Sequence, residues 1–184
     1  MNPTKRGKSD MTQEEKNIAK RTSRSSGASA LNKDGTIRAV VPLFVEKNVD
    51  ISKRILDFGA GKGATSTKYL RSKGFDVTAY DLWCGEGDEL LDICALDRNY
   101  DVVFASNVLN VQSSHDMLIE TLREIYGALD NYGELICNYP SSPRKMELSA
   151  DALANLLFVI FGSTPEMVGG SKSAPIWRVR KVLS

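Results

Sequence analysis

From residue 36 onward the sequence alternates short apolar runs with amphipathic segments, and this alternation constrains the fold more than any other feature. Seven runs bounded by turn residues are predicted strands: residues 54–58, 76–80, 90–93, 100–105, 134–138, 166–168 and 176–182. Segments with helical spacing of apolar residues separate most of them, as parallel βαβ units require. The last two runs have no helix between them. We therefore expect an α/β fold with a doubly wound, mostly parallel seven-stranded sheet and a C-terminal antiparallel hairpin.

The helices are predicted from the spacing of apolar residues and from their end signals. An apolar stripe covers residues 37–45, and helical patterns follow at residues 62–73, 114–129 and 149–161. Ser114 and Ser149 have side chains that can cap the last two helices, and Gly162 can end the last one. Pro42 makes the interior of the first helix less favourable.

The chain of 184 residues has the length of one domain, and its charge is distributed unevenly. Residues 1–40 carry nine Lys or Arg against four Asp or Glu, whereas residues 41–140 carry nine against sixteen. We predict a flexible basic N-terminal segment over residues 1–35 and a folded domain over residues 36–184. Such a segment is either a solvated tail or a contact for an anionic partner such as nucleic acid.

The composition disfavours several protein classes. No apolar run approaches the roughly 18 residues that span a bilayer, and the first thirty residues contain no apolar stretch typical of a secretory signal. Cys84, Cys94 and Cys137 are widely spaced and the chain has one histidine, so neither a disulfide framework nor a zinc site is expected. We predict a cytoplasmic protein that binds no metal and no membrane.

The residues with the clearest chemistry follow the first two predicted strands. Residues 57–63 read DFGAGKG and connect a buried strand to a helix. Gly59 and Gly61 lack a Cβ, so the turn can be tight and a ligand can lie against the backbone, while Gly63 lets the helix approach the sheet. Asp81 lies at the tip of the second strand, where an acidic residue can hydrogen-bond ribose hydroxyls. The glycine loop and this acid in one βαβ unit predict a ligand that contains a ribose.

These motifs, in this order, resemble the class I S-adenosylmethionine-dependent methyltransferases. The resemblance rests on DFGAGKG, AYD, YDVVFASNVLNV and YGELICNYP, and it covers about residues 50–182. It includes the terminal hairpin, which is typical of that family and not of nicotinamide-dependent dehydrogenases. Asp57 lies two places before the first glycine, as in the family motif D/E-x-G-x-G-x-G. The resemblance implies a Rossmann-like domain with S-adenosylmethionine as its cofactor.

The resemblance also assigns residues of the glycine loop to the cofactor. Phe58, Gly59, Ala60 and Gly61 would line its methionine and ribose side. Asp57 would orient the loop and meet the methionine ammonium.

Further cofactor residues follow the second and third predicted strands. Asp81 matches the ribose-binding acid of the family, and Leu82 and Trp83 would pack on the adenine. Asp92 and Ile93 match the motif in which an acid and the following backbone N–H read the adenine edge.

Candidate catalytic residues follow the predicted strands 100–105 and 134–138. By the same resemblance, Ser106, assigned to the cofactor, and Asn107 face the methyl-transfer site. Asn107, Asn110 and Tyr139 are the predicted catalytic residues, since they lie at or just past strand ends, where they can position a substrate amine or hydroxyl. His115 belongs to a predicted helix start and is not assigned as a base.

Absent motifs limit the substrate. The strand 100–105 continues as Ser-Asn-Val-Leu and not as the Asp/Asn/Ser-Pro-Pro-aromatic sequence common in DNA amino-methyltransferases, and no cysteine follows a proline as cytosine-C5 enzymes require. We predict an S-adenosylmethionine-dependent methyltransferase acting on a small molecule or a nucleic-acid base. The alternative is an S-adenosylmethionine-binding protein without transferase activity that binds a partner or nucleic acid. A nicotinamide-dependent oxidoreductase needs only the glycine loop and Asp81, and the predicted hairpin disfavours it.

Overall fold

The computed structural model describes residues 12–14, 17, 30–82, 89–140 and 146–183. The helices that pack on the sheet are α1 (Val40–Asn48), α2 (Thr65–Ser72), α3 (His115–Ala128) and α4 (Ala150–Phe161). The strands are β1 (Arg54–Phe58), β2 (Asp76–Tyr80), β3 (Tyr100–Ala105), β4 (Leu129–Asn138), β5 (Glu166–Ser171) and β6 (Ala174–Arg180). Short 3-10 turns at Ala95–Asp97 and Leu109–Val111 precede and follow β3.

The strands form one sheet in the order β2-β1-β3-β4-β6-β5. The first four strands are mutually parallel, and β6 is antiparallel to both β4 and β5. The α/β class, the mostly parallel sheet and the C-terminal antiparallel hairpin are therefore confirmed.

The expected strand count of seven is wrong by one, since the described part of the chain contributes six strands to the sheet. Residues 90–93 make a single parallel bridge, between Leu91 and Ala79. The chain turns directly afterwards, because the Asp92 carboxylate accepts the backbone N–H of Cys94 at 2.8 Å. Ile93 is 63% exposed, so this short run has too little buried apolar surface to extend the pairing.

In the six-stranded sheet of the described residues, β2 is the outermost strand on one side. The Ala79 carbonyl accepts the backbone N–H of Asp92 at 2.8 Å, and the Val77 carbonyl accepts Nε of Arg71, also at 2.8 Å. One turn and one side chain therefore satisfy backbone groups that a neighbouring strand would otherwise pair.

The starts of α3 and α4 agree with their sequence signals. Ser114 Oγ accepts the backbone N–H of Met117 at 3.2 Å, and Ser149 Oγ accepts that of Ala152 at 3.1 Å. Both predicted caps are confirmed. Pro42 lies in the first turn of α1, where a backbone N–H has no partner inside the helix, so the helix tolerates it.

The hydrophobic core covers both faces of the sheet. Neighbouring residues of β3 point in opposite directions, and both Val103 and Phe104 are fully buried. Val103 belongs to the cluster under α3 and α4, which includes Leu118, Leu122, Leu153 and Leu157. Phe104 belongs to the cluster under α1 and α2, which includes Val41, Val45 and Leu70. Because both faces are covered, a ligand can reach the parallel strands only where the strands end.

The described residues ahead of α1 form a small turn in which Leu31 pairs antiparallel with Ile37. Most of the predicted segment 1–35 lies outside the described residues. No helix in the described part of the chain is long and apolar enough to cross a membrane. In the same ranges, no group of three or more His, Cys, Asp or Glu side chains could hold a metal ion.

Candidate functional site

The carboxyl ends of the four parallel strands meet at one edge of the sheet. The register aligns Phe58 of β1 with Tyr80 of β2, and Ala105 of β3 with Cys137 of β4. The residues that follow these four positions carry most of the predicted site. The bridge from Leu91 to Ala79 brings Asp92 and Ile93 to this edge as well.

The glycine loop after β1 is held against the end of β2. The backbone N–H groups of Gly59 and Ala60 both donate to the Tyr80 carbonyl, at 2.8 and 2.9 Å. Gly59 has a φ of 76°, and a Cβ added there would lie 2.5 Å from Cγ2 of Val108. The loop therefore packs directly on the chain that leaves β3, and only glycine fits at this position.

The left-handed backbone continues to the start of α2. Gly61, Gly63 and Ala64 have φ values of 68°, 81° and 42°, so α2 begins at Thr65, three residues after the predicted start. A Cβ at Gly63 would meet nothing within 4 Å. The expected close approach of helix and sheet at Gly63 is therefore wrong, and its φ is the reason that glycine suits the position.

Two buried carboxyl groups lie at this edge. Asp57 is 2% exposed, and its Oδ2 accepts the Thr67 hydroxyl at 2.8 Å. Burial raises the pKa of Asp57 from 3.8 to about 7, and the charge of Asp81 adds to the rise, while the Thr67 hydrogen bond opposes it. Asp81 is 6% exposed, and its Oδ2 accepts the backbone N–H of Gly61 at 2.9 Å. The predicted ribose-binding acid thus also holds the glycine loop.

The residues assigned to the adenine lie beyond β2. Leu82 is half-buried, and Trp83 lies outside the described residues. The Asp92 carboxylate, besides accepting the Cys94 N–H, forms an ion pair with Arg98. These contacts stabilise the turn itself, and the side chain of Ile93 remains on the surface.

The residues that follow β3 and β4 form the other half of the candidate site, next to the residues that follow β1 and β2. Ser106 and Asn107 are half-buried, and Asn107 has a left-handed φ of 59°. The Asn107 backbone N–H donates to Oδ1 of Asn138 at 2.7 Å. In return, Nδ2 of Asn138 donates to Oδ1 of Asn107 at 2.8 Å.

The other two catalytic candidates are buried. Asn110, on the turn Leu109–Val111, is 6% exposed, and its Oδ1 has no hydrogen-bond donor among the described residues. Tyr139 is 4% exposed, and its hydroxyl donates to the Met146 carbonyl at 2.7 Å. Burial raises the pKa of Tyr139. Tyr139 thus connects the end of β4 to the segment before α4.

The sequence matches a family model described as a methyltransferase domain over residues 24–159. The chain belongs to this methyltransferase family. The predicted resemblance to the class I S-adenosylmethionine-dependent methyltransferases is confirmed, and S-adenosylmethionine is the family's cofactor. A comparison with curated protein sequences finds no match.

The fold of this methyltransferase is similar to that of several solved ones. The 1,6-didemethyltoxoflavin-N1-methyltransferase of Burkholderia thailandensis is 20% identical, with 78% of this chain and 77% of that chain covered and a TM-score of 0.60. A TehB-like methyltransferase of Corynebacterium glutamicum is 17% identical, with 90% and 97% covered and a TM-score of 0.58. The 16S rRNA N2 G1207 methyltransferase of T. thermophilus is 15% identical, with 79% and 40% covered and a TM-score of 0.56. At these identities the likeness shows a shared fold.

The side chains of this methyltransferase fit such a cofactor. S-adenosylmethionine carries an ammonium and a sulfonium, and a cation beside Asp57 would offset the unfavourable ionisation of that buried carboxyl. Asp81 lies at the strand tip, where ribose hydroxyls are bound in doubly wound folds. The left-handed glycines keep side chains away from the loop backbone.

Three residues of the site are not among those predicted from the sequence. Thr67 is a fully buried polar residue of α2, Val108 packs on Gly59, and Asn138 bonds to Asn107. One signal was present: Asn138 is a polar residue that directly follows the apolar residues 135–137. Which residues these side chains contact depends on tertiary packing.

Proposed function

We propose that this methyltransferase transfers the methyl group to a nitrogen atom that carries hydrogen, in a small molecule or a nucleic-acid base. The observation that carries the proposal is Oδ1 of Asn110, a buried acceptor without a donor in the described part of the chain. Such an atom costs about 1–3 kcal/mol, and a substrate N–H that reaches it removes this cost. The position of Asn110, three residues after Asn107, supports a role in binding the substrate.

The cofactor residues keep the roles that the family resemblance implies. When bound, S-adenosylmethionine supplies a methyl group on a positively charged sulfur. Asp57 offers a carboxylate to the ammonium, and Asp81 offers one to the ribose hydroxyls. Phe58 and the loop 59–61 line the methionine side, and Ser106 faces the methyl group.

The adenine would lie beside the residues that follow β2 and beside the turn at Asp92. Leu82 and Trp83 are proposed to pack on the ring, and Asp92 with the N–H of Ile93 is proposed to read its edge. The Arg98 guanidinium holds the Asp92 carboxylate in place.

The described residues around the substrate side offer no general base. Asn107 and Asn110 are amides and do not titrate. Tyr139 has its hydroxyl hydrogen bonded to the Met146 carbonyl, and burial raises its pKa above the ordinary value. Cys137 is fully buried, and burial raises its pKa to about 12. The site therefore acts by positioning, which contributes much of the rate when nucleophile and methyl are aligned.

A nitrogen nucleophile suits a site whose described residues supply no base on the substrate side. A neutral amine or ring nitrogen attacks through its lone pair and releases its proton to solvent afterwards, whereas a hydroxyl needs its proton removed. We propose that Asn110 accepts the N–H of this nitrogen and that Asn107 contacts another atom of the same substrate, so that the nitrogen is in line with the methyl group. Tyr139 is proposed to hold the segment before α4 in place through its hydrogen bond to the Met146 carbonyl. We further propose a cytoplasmic location, supported by the free Cys94 and Cys137.

Isothermal titration tests the cofactor assignment first. We expect micromolar binding of S-adenosylmethionine and S-adenosylhomocysteine and no binding of NAD. Binding of NAD alone would favour the oxidoreductase alternative and contradict the role given to Asp57.

The acceptor is tested by transfer of a labelled methyl group to three separate pools: DNA, RNA and small metabolites. The position of the label in the product then identifies the accepting atom. A variant lacking residues 1–29 tests the basic segment, because its loss should weaken transfer to nucleic acid and leave transfer to a small molecule unchanged. Cofactor binding without transfer to any pool would favour the alternative, a binding protein without transferase activity.

Asn110→Leu tests the residue on which the proposal depends. Leucine has similar size and no acceptor, so the variant should gain about 1 kcal/mol of folding stability while kcat/KM falls at least tenfold. These opposite directions exclude misfolding as the cause. Asn99→Leu, at an exposed asparagine before β3, is the matched control and should change neither. A label on oxygen or carbon, or full activity in Asn110→Leu, would contradict the proposal.

A further inference from the structure

Asn107 and Asn138 form a reciprocal pair that joins the ends of β3 and β4. Two hydrogen bonds connect them, at 2.7 Å from the Asn107 backbone N–H to Oδ1 of Asn138 and at 2.8 Å from Nδ2 of Asn138 to Oδ1 of Asn107. The residues are 31 positions apart in the sequence. The pair therefore depends on the parallel registry of the two strands.

The pair holds Asn107 in an unusual backbone conformation. A φ of 59° is unfavourable for most residues with a side chain, although asparagine tolerates it better than others. A residue in this conformation next to a substrate site is held there by its surroundings. The surroundings in this case are the amide of Asn138, which bonds both the backbone and the side chain of Asn107.

The two residues differ in what they can contact. Asn138 is 2% exposed, and each end of its amide is bonded to Asn107. Asn107 is half-buried, and its Oδ1 is taken by Asn138. The hydrogen bonds of Asn107 to described side chains use its backbone N–H and its Oδ1 and leave its own Nδ2 unused. Asn107 can thus reach a substrate, and Asn138 can act on that substrate only through Asn107.

We propose that Asn138 is a positioning residue that holds Asn107 left-handed and turns its Nδ2 toward the methyl-accepting substrate. This inference rests on the proposed function, in which Asn107 contacts the acceptor. Bonding by Nδ2 of Asn138 fixes which end of the Asn107 amide stays available. The acceptor therefore meets an N–H donor at Asn107 and an oxygen acceptor at Asn110. A substrate nitrogen with an adjacent acceptor atom, as in an amino-substituted heterocycle, matches this pair of groups.

The test combines an activity readout with one that needs no substrate. In Asn138→Ala the backbone N–H of Asn107 loses its acceptor. Its hydrogen exchange, measured by NMR in the S-adenosylhomocysteine complex, should therefore accelerate at least tenfold. Methyl transfer to the acceptor pool found for the wild type should fall about 10–100-fold in kcat. The affinity for S-adenosylhomocysteine should stay within about threefold, because the glycine loop and Asp81 are unchanged.

A double-mutant cycle separates positioning from a general loss of order. If Asn138 acts through Asn107, then Asn138→Ala should lower kcat less than threefold in a protein that already carries Asn107→Ala. Tyr100→Phe is the matched structural control, since it removes a buried hydrogen bond, to the Ala95 carbonyl at 3.1 Å, from the other end of β3. It should leave kcat and the Asn107 exchange rate as in the wild type.

A second variant keeps the inference testable if Asn138→Ala unfolds. Asn138→Asp retains an acceptor for the backbone N–H of Asn107 and loses the donor to Oδ1 of Asn107. The side-chain amide of Asn107 should therefore rotate, and kcat should fall. Hydrogen exchange of the Asn107 backbone N–H should stay slow.

Three results would overturn the inference. The first two are an unchanged exchange rate of the Asn107 backbone N–H in Asn138→Ala and an unchanged kcat in that variant. The third is an equal loss of kcat when Asn138→Ala is introduced into the wild type and into Asn107→Ala. A wild-type protein that methylates no pool would overturn the proposed function instead, and the exchange rate would then report on the Asn138 contact alone.

Discussion

A methyl group added at position 59 measures how tightly the glycine loop is packed. In Gly59→Ala the new Cβ would lie 2.5 Å from Cγ2 and 3.3 Å from Cγ1 of Val108. The left-handed φ of 76° adds about 1–2 kcal/mol for any residue with a Cβ. Overpacking of a close contact adds about 1–3 kcal/mol. The free energy of unfolding should therefore fall by about 2–5 kcal/mol.

Two further variants separate backbone strain from the clash. Gly63 has a φ of 81° and open space around its Cβ position, so Gly63→Ala should lose only the strain, about 1–2 kcal/mol. Removing the Val108 methyls leaves its Cβ as the nearest atom, at 3.5 Å, which is an ordinary contact. Gly59→Ala combined with Val108→Ala should therefore lose only about 1–2 kcal/mol relative to Val108→Ala alone.

Urea unfolding followed by circular dichroism gives these free energies, and titration with S-adenosylhomocysteine gives the accompanying loss of cofactor affinity. If Gly59→Ala loses no more stability than Gly63→Ala, the close approach of position 59 to Val108 costs nothing and the reasoning is refuted. The same conclusion follows if Val108→Ala restores nothing.

Three shorter predictions concern buried charges. Asp81→Ala should weaken S-adenosylmethionine binding by about 1.5–3 kcal/mol in a calorimetric titration, because two charge-assisted ribose hydrogen bonds are lost; unchanged affinity would contradict the assignment. The folded protein holds the Asp57 proton more tightly than the unfolded chain, so the stability that Asp57 contributes should fall as the pH rises from about 4 to about 7. In urea unfolding, the advantage of Asp57→Asn over the wild type should accordingly grow by about 2–3 kcal/mol between pH 5 and pH 8, and a pH-independent difference would contradict the raised pKa. Lys181, which is 9% exposed, donates from Nζ to the carbonyls of Tyr126 and Leu129 at 2.9 and 2.6 Å, so Lys181→Met should lower the free energy of unfolding by about 2–4 kcal/mol, whereas the exposed Lys172→Met should not.

Features that depend on neighbours in the sequence were predictable. Ser114 and Ser149 cap their helices through a local contact, in which the hydroxyl at the N-cap accepts the N–H three positions later. The apolar run 100–105 is the central strand β3 because both of its faces are apolar. Asp81 follows β2 at the ligand edge because parallel strands end together.

Features that depend on distant packing were not predictable. The sequence contains nothing that pairs Asn107 with Asn138, since only the registry of β3 and β4 brings them together. Gly63 was expected to serve packing and serves backbone conformation instead, a distinction that needs the space around the residue. The run 90–93 is as apolar as a short strand, yet a carboxylate-capped turn at Asp92 ends its pairing after one bridge.

That single bridge between Leu91 and Ala79 has a consequence for how the protein can diverge. In the described part of the chain between β2 and β3, one backbone bridge pairs with the sheet, so an insertion or deletion there would shift the register of no strand. On the other side of the site, β3 and β4 are joined by five paired positions and by the two asparagine side chains. The segment between β2 and β3 can therefore change in length over evolution without disturbing the sheet, whereas any change of length where β3 and β4 end would also displace Asn107 and Asn138.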